Sequence, residues 1–192
     1  MGKKLDRSYY LNEDVVFLAR DLIGKVLCTR IKGKYTSGVI SETEAYAGAT
    51  DRASHAFGNR RTNRTEIMYQ RGGLSYVYLC YGIHKLFNVV TGPVDMPHAV
   101  LVRGVKPLDG IELMEKRRKK RVSDNGFSSG PGTLTVALGI DMDHNKKDLR
   151  GDIVWIEDRK IEVPPAGIEI SPRIGIDYAK EDKDLPYRFL WP

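Results

Sequence analysis

The chain has 192 residues, 41% hydrophobic and 29% charged, with a formal net charge of +6 and a pI near 9.2. That length suits one ordinary domain with a real core, and the basic balance points to a polyanionic partner. No run of about 18 apolar residues exists, which excludes a helical membrane span, and "MGKKLDRSYY" lacks the apolar stretch of a signal peptide.

In chain order, Asn12 is placed to cap a helix through "EDVVFLARDLIG", closed by Gly24. "KVLCTRI" and "SGVISETEAY" read as two strands around the polar turn "KGKYT". Residues 47–66 form a polar, glycine-containing loop, longer than most connections. A second hairpin pairs "LSYVYLCYG" with "KLFNVVTG", and "HAVLVRGV" is a further strand. "LDGIELMEKRRKKR" reads as a helix with a basic end, and "TLTVALGI" as a short helix. "DIVWIED" and "EISPRIGID" read as late strands. Repeats and strand–helix alternation are both missing. The expected fold is α+β: a single mixed domain over residues 1–192, with a curved, mainly antiparallel sheet, flanking helices and a protruding hairpin. Cys28 and Cys80 lie in apolar strand runs and read as two buried thiols, which fits a reducing compartment.

Alternation along a strand puts Glu42, Glu44 and Tyr46 on one face and Val39, Ser41, Thr43 and Ala45 on the other. Two carboxylates and a phenol do not read as packed core. If the second hairpin turns near Ile83, Tyr78 sits opposite Asn88 and Tyr76 opposite Val90, with Tyr81 at the tip. An aromatic at an exposed tip is either an ordinary surface residue or a wedge for a DNA base step.

These stretches together resemble the alkyladenine (3-methyladenine) DNA glycosylase family, the type shared by bacteria and mammals. The resemblance rests on "ETEAY" at 42–46, "SHAFG" at 54–58, "YVYLCYG" at 76–82 with Asn88, "AVLVRGVKP" at 99–107 and "SGPGTLTVALGI" at 129–140. "PRIGIDYA" and "YRFLW" also fit, so it spans roughly residues 10–191 in unbroken order. It implies a monofunctional enzyme that removes damaged purines from duplex DNA, without metal or cofactor. The resemblance makes Glu44 the general base, with Arg103 and the Ile174 backbone carbonyl holding the attacking water. Tyr46 would stack on one face of a flipped base, and His55 and Tyr78 would cover the other face and edge. Asn88 would oppose the exocyclic amine of guanine, and Tyr81 would fill the gap left in the duplex.

The chemistry suits these residue types. A stacked base must be flipped out before reaction. Electron-rich rings favour cationic alkylated purines, and one carboxylate can both steady an oxocarbenium-like sugar and deprotonate water. On position alone, Glu42 competes with Glu44. Arg60, Arg61, Arg64 and Arg71 are expected on DNA phosphates, ahead of the basic run at 114–121. "SSGPGT" lacks the lysine and full spacing of a P-loop, though as a helix start it could hold a phosphate. His84, His98 and His144 have no metal-ligand spacing and read as surface or structural. The expected partner is double-stranded DNA bound by a monomer in the cytoplasm, or in the nucleus of a eukaryote. The alternatives are a non-catalytic binder of damaged DNA, a lyase using Lys85 or Lys106, and a metal hydrolase.

Overall fold

The computed structural model describes residues 2–192. Its strands are β1 (Lys3–Lys4), β2 (Val26–Ile31), β3 (Lys34–Tyr46), β4 (Ser75–Cys80), β5 (His84–Thr91), β6 (His98–Asp109), β7 (Val154–Asp158), β8 (Glu169–Ser171) and β9 (Arg188–Leu190). Its α-helices are α1 (Arg7–Tyr10), α2 (Val15–Asp21), α3 (Ile111–Arg118) and α4 (Pro131–Leu138). The strands make one curled antiparallel sheet in the order β1-β7-β2-β3-β6-β5-β4, as the α+β reading expects. β2 covers the first half of β3, and β9 pairs with its second half at 42–44, followed by β8. β3 is therefore flanked on both edges along most of its length, and this centres it in the sheet.

The long apolar face of the sheet packs on α2 and α4. Leu18, Leu22, Leu134 and Leu138 meet Phe87, Val100 and Val102 in one buried cluster. A second cluster, with Ile67, Met68, Tyr69, Tyr76 and Val90, lies beneath the loop that follows β3. The polar 47–66 stretch is ordered as short 3-10 turns at Gly48–Thr50 and Phe57–Asn59, with another at Glu66–Tyr69.

Several boundaries differ from expectation. The β2–β3 turn is only Lys32 and Gly33, at φ +51° and +73°, because two left-handed residues match the twist of a tight hairpin. Helix α2 is capped by Asp14, whose Oδ1 accepts from the Phe17 N–H at 2.8 Å. Asn12 instead accepts from the Asp14 N–H, two residues too early to be the cap. Helix α3 is shorter than 108–121: left-handed Gly110 and Lys119 bound it, and residues 108–109 extend β6. Helix α4 starts earlier, with Pro131 in its first turn, and ends at left-handed Gly139.

The second hairpin is registered two residues away from the expected pairing. Tyr76 faces Asn88 and Tyr78 faces Leu86, because the turn centres on Gly82 rather than Ile83. The Ile83 N–H closes it onto the Cys80 carbonyl at 3.1 Å, with φ +50° at Tyr81 and +71° at Gly82. Tyr81 is at the tip as expected, 88% exposed. Of the expected late strand 169–177, only Glu169–Ser171 pairs; the rest is held by side chains described below. Cys28 is buried, but Cys80, next to the tip, is only half-buried, and both are free thiols. Among the described residues, no helix is long and apolar enough to cross a membrane.

Candidate active site

The site begins with two offset irregularities between β3 and β6. Ile40 faces Val105 but Glu42 faces Gly104, which leaves Ser41 extra on β3. Thr43 then faces Val102, which leaves Arg103 extra on β6. Paired bulges of this kind re-aim side chains. Gly104 suits the gap, since a Cβ there would stand 3.2 Å from the Glu42 Cβ and 3.5 Å from its Oε2.

Glu42, Glu44 and Tyr46 share a face, yet that face is not open. β9 and the chain after β8 cover it, leaving Glu42 nearly and Glu44 fully buried. The Glu44 Oε1 accepts from the Ile174 N–H at 2.8 Å, and its Oε2 from the Tyr46 hydroxyl at 2.8 Å. The Arg103 Nε lies 3.5 Å from Oε1. Burial pushes the Glu44 carboxyl above the usual range, and Glu42 adds to this. Arg103, the Ile174 N–H and the Tyr46 hydroxyl oppose the rise without cancelling it. Glu42 is placed differently. Its Oε1 accepts from the Nε–H of Arg103 at 2.9 Å and of Arg188 at 2.7 Å. The two carboxylates that spacing could not tell apart thus differ: one is ion-paired twice, the other is held by a peptide, a phenol and a more distant guanidinium.

Tyr46 is fixed from behind by Arg173, whose guanidinium carbon is 4.9 Å from the ring centroid. Arg173 donates to both Asp51 oxygens, to the Ala45 carbonyl at 2.8 Å and to the Asp182 carbonyl at 3.2 Å. Asp51 also accepts from the N–H groups of Ala47 and Ala53, both at 2.9 Å. This buried pair ties the loop after β3 to the segment bearing Ile174. Sequence reasoning did not single out Asp51, Arg173 or Arg188. A charge in "PRIGI" was the one visible signal, and its partner is 122 residues away.

The opposite wall is aromatic. His55 packs edge-on to Tyr78 at 4.8 Å, and Tyr76 lies 5.2 Å from Tyr78. The His55 Nδ1 is 2.9 Å from the Tyr76 hydroxyl. Burial, with Arg64 and Arg60 nearby, pushes the His55 pKa down to about 4, so its ring is neutral near pH 7. Arg64 lies over the Tyr78 ring at 4.7 Å and donates to the Tyr76 hydroxyl at 3.2 Å, so it forms part of this wall.

Between the walls runs a cleft of about 570 Å³, lined by Tyr46, His55, Tyr78, Arg103, Ile174 and Tyr178, and reaching Tyr81. A recess of about 40 Å³ continues inward to Asn88, room for about three waters rather than a purine. Asn88 is buried there, its Nδ2 donating to the Tyr76 carbonyl at 3.1 Å. Glu44 itself stands behind Tyr46, Arg103 and Ile174, one layer from the cleft.

The remaining predicted residues spread outward. Arg60 and Arg71 are exposed. Arg61 is held by Glu66 at 2.7 Å and Asp95 at 2.8 Å, so its charge is already matched. In the basic run, Arg117 donates to the Ala137 carbonyl and Arg118 to that of Phe127, capping α4 and fastening the loop before it. Residues 130–133, at the start of α4, and His84 line the far side of the cleft. Among the described residues, no three His, Cys, Asp or Glu side chains are grouped to hold a metal ion.

Comparison with known proteins agrees with this geometry. The sequence profile of the methylpurine-DNA glycosylase family matches residues 9–192. A protein of Chlamydia felis is 47% identical over 187 residues, covering 97% of this chain and 95% of that one. Relatives from Desulfitobacterium hafniense (43%) and Clostridium perfringens strain 13 (42%) each cover 97% of this chain and 94% of their own. All three are provisionally named as 3-methyladenine DNA glycosylases. The chain belongs to the methylpurine-DNA glycosylase family.

Proposed function

We propose that this chain, a DNA glycosylase by its family, flips alkylated or deaminated purines out of duplex DNA and hydrolyses the N-glycosidic bond with water activated by Glu44. The observation that carries this reading is a buried carboxylate of raised pKa one layer behind a cleft walled by Tyr46 and by His55 with Tyr78. A purine has two faces to cover, and stacking contributes about 1–3 kcal/mol per base. Tyr81, fully projecting, would enter the base step that the nucleotide leaves, and Arg60 and Arg71 would meet phosphates. The glycosidic bond electrons leave with the base, water oxygen bonds the anomeric carbon, and one water proton passes to Glu44. A cationic base such as 3-methyladenine or 7-methylguanine leaves neutral without an acid. Hypoxanthine and etheno-adenine are neutral and must also gain a proton.

On this reading the attacking water would sit beside Glu44 Oε1, next to Arg103 and the Ile174 peptide. Asn88 would act only on a base that widens the recess, where a guanine amine would meet its carboxamide. Glu44→Gln tests the mechanism. It keeps size and loses basicity, so release of 3-methyladenine from duplex DNA should fall by about 10²–10⁴ while affinity for the duplex stays. Base release by the wild type, lost in Glu44→Gln while affinity stays, separates a glycosylase from a binder. Excision at the wild-type rate would remove Glu44 from the reaction. The raised pKa sets the pH dependence: Glu44 works as the carboxylate, so activity is lost as pH falls through a value above the usual carboxylate range.

A further inference from the structure

Glu42 and Arg188 have no part in the reaction as written above, yet both are held on Arg103 or its partner by a specific arrangement. Two bulges and a glycine make room for Glu42 beside Arg103. A third strand, β9, adds Arg188, which lies across from Glu44 in register but turns its Nε–H to Glu42 at 2.7 Å. The far end of Arg188 is tied to the Ser171 hydroxyl at 3.0 Å, so it cannot swing freely. Both guanidiniums meet on one Glu42 oxygen, and Arg103 reaches Glu44 only at 3.5 Å.

We propose that Glu42 is a positioning residue for the glycosylase reaction: it holds Arg103 and Arg188 by their Nε–H groups and keeps them from closing on Glu44. The inference rests on Glu44 being the base. A carboxylate locked in a close ion pair is a poor proton acceptor, because the pair stabilises the charged form. With Glu42 in place, two carboxylates and two guanidiniums balance, and Glu44 keeps only the longer contact. The groups facing Glu44 are Glu42 and Tyr46 from β3, Arg103 from β6, Arg188 from β9, and the Ile174 N–H from the covering segment. Behind Tyr46 stands Arg173, its charge matched by Asp51. Changing one member of the cluster therefore changes the charge that Glu44 feels, and the sign depends on which member is changed.

The test uses the full chain in single-turnover excision from methylated duplex DNA, with saturating enzyme, from about pH 5 to 9. Glu42→Gln leaves two guanidiniums facing Glu44 alone. The acid limb of the rate should move to lower pH, and the plateau should fall about tenfold as Arg103 closes on the base. Arg188→Gln leaves the carboxylates in excess, and its limb should move to higher pH. Duplex affinity, read by titration, should stay within about twofold for both, since neither residue lies on the cleft wall. Opposite shifts support the proposal, because simple loosening of the sheet cannot give both signs. Acid limbs that stay at the wild-type position, or that move the same way in both variants, overturn it. If Glu42→Gln fails to fold, Glu42→Asp serves: it keeps the charge and should keep the limb, and a limb that moves to lower pH counts against the idea. Glu44→Gln is run alongside. Should it excise normally, the base assignment fails. Should it be inert while the Glu42 and Arg188 limbs stay put, only this inference fails.

Discussion

Asp51→Asn probes how the site is held together. Asp51 accepts four hydrogen-bonding groups: two guanidinium nitrogens of Arg173 and the N–H groups of Ala47 and Ala53. An asparagine offers one oxygen and one NH2. Each carboxylate oxygen currently meets one guanidinium nitrogen and one peptide N–H, so either orientation of the amide aims a donor at two donors. Arg173 is 5% exposed and would keep its charge without a counter-charge. Breaking one side of a buried ion pair costs about 3–5 kcal/mol, which for a chain of this length lowers Tm by roughly 6–20 °C. The loss should be local as well as global. Arg173 packs on Tyr46 and precedes Ile174, so the loop after β3 and the segment that covers Glu44 come loose together. The assays are a thermal melt and limited proteolysis within residues 47–66, followed by excision at saturating DNA. A Tm within about 2 °C of wild type, with no new cleavage in that loop, would refute the claim that this pair orders the site.

Two further predictions follow from exposure and charge. His55 has a pKa near 4 in the folded chain against 6.5 in the unfolded one, so the unfolded state binds the extra proton first. Stability should therefore fall as pH drops from about 6.5 to about 4, and denaturant melts of His55→Gln should show a smaller fall across that window. An equal fall in both proteins would mean the ring is not kept neutral by its surroundings. Tyr81→Ala removes a side chain that is 88% exposed, so Tm should hold within about 2 °C, while single-turnover excision and duplex affinity should weaken together. Unaltered excision and affinity would take the wedge role away from Tyr81.

Much of this was legible in the residues because strand alternation and apolar runs carry it. Alternation along 38–46 placed Glu42, Glu44 and Tyr46 together, and the paired bulges restore the β3–β6 register because each strand gains one residue. The apolar runs of the strands fixed the sheet, and "YG" in a hairpin fixed Tyr81 at its tip. The misses have physical reasons. Turn length is set by which residues accept positive φ, and Lys32 and Tyr81 do so without advertising it. Choosing Gly82 over Ile83 as the turn centre moved every cross-strand pair by two, which put Tyr76 rather than Tyr78 against Asn88. Partners distant in sequence were illegible altogether. Nothing in "PRIGI" says that its arginine will bury itself on Asp51, and nothing in "YRFLW" says that Arg188 will reach Glu42. The Arg188 contact, made by the third strand on β3, gives Glu42 surroundings different from those of Glu44, which spacing could not show.

On the proposed mechanism, the covering of Glu44 constrains how water can reach it. Tyr46 cannot yield easily, because its ring is fixed by Arg173 and its hydroxyl sits on the carboxylate. Arg103 is anchored by Glu42, and Arg173 by Asp51. Beyond Arg173 the next buried residue is Ile176, which packs with Ala53 and Ala179. Between these anchors lie only Ile174, half exposed, and Gly175, which has φ +74° and nothing within 4 Å of where a Cβ would be. A glycine at positive φ in open space is where a peptide can rotate at least cost. The Ile174 N–H is also the one donor on Oε1 that belongs to this short span. The Ile174 N–H lies in the 173–174 peptide, directly after the anchored Arg173, so Oε1 stays covered while that anchor holds; the Ile174 carbonyl lies in the 174–175 peptide, the one that Gly175 leaves free to turn.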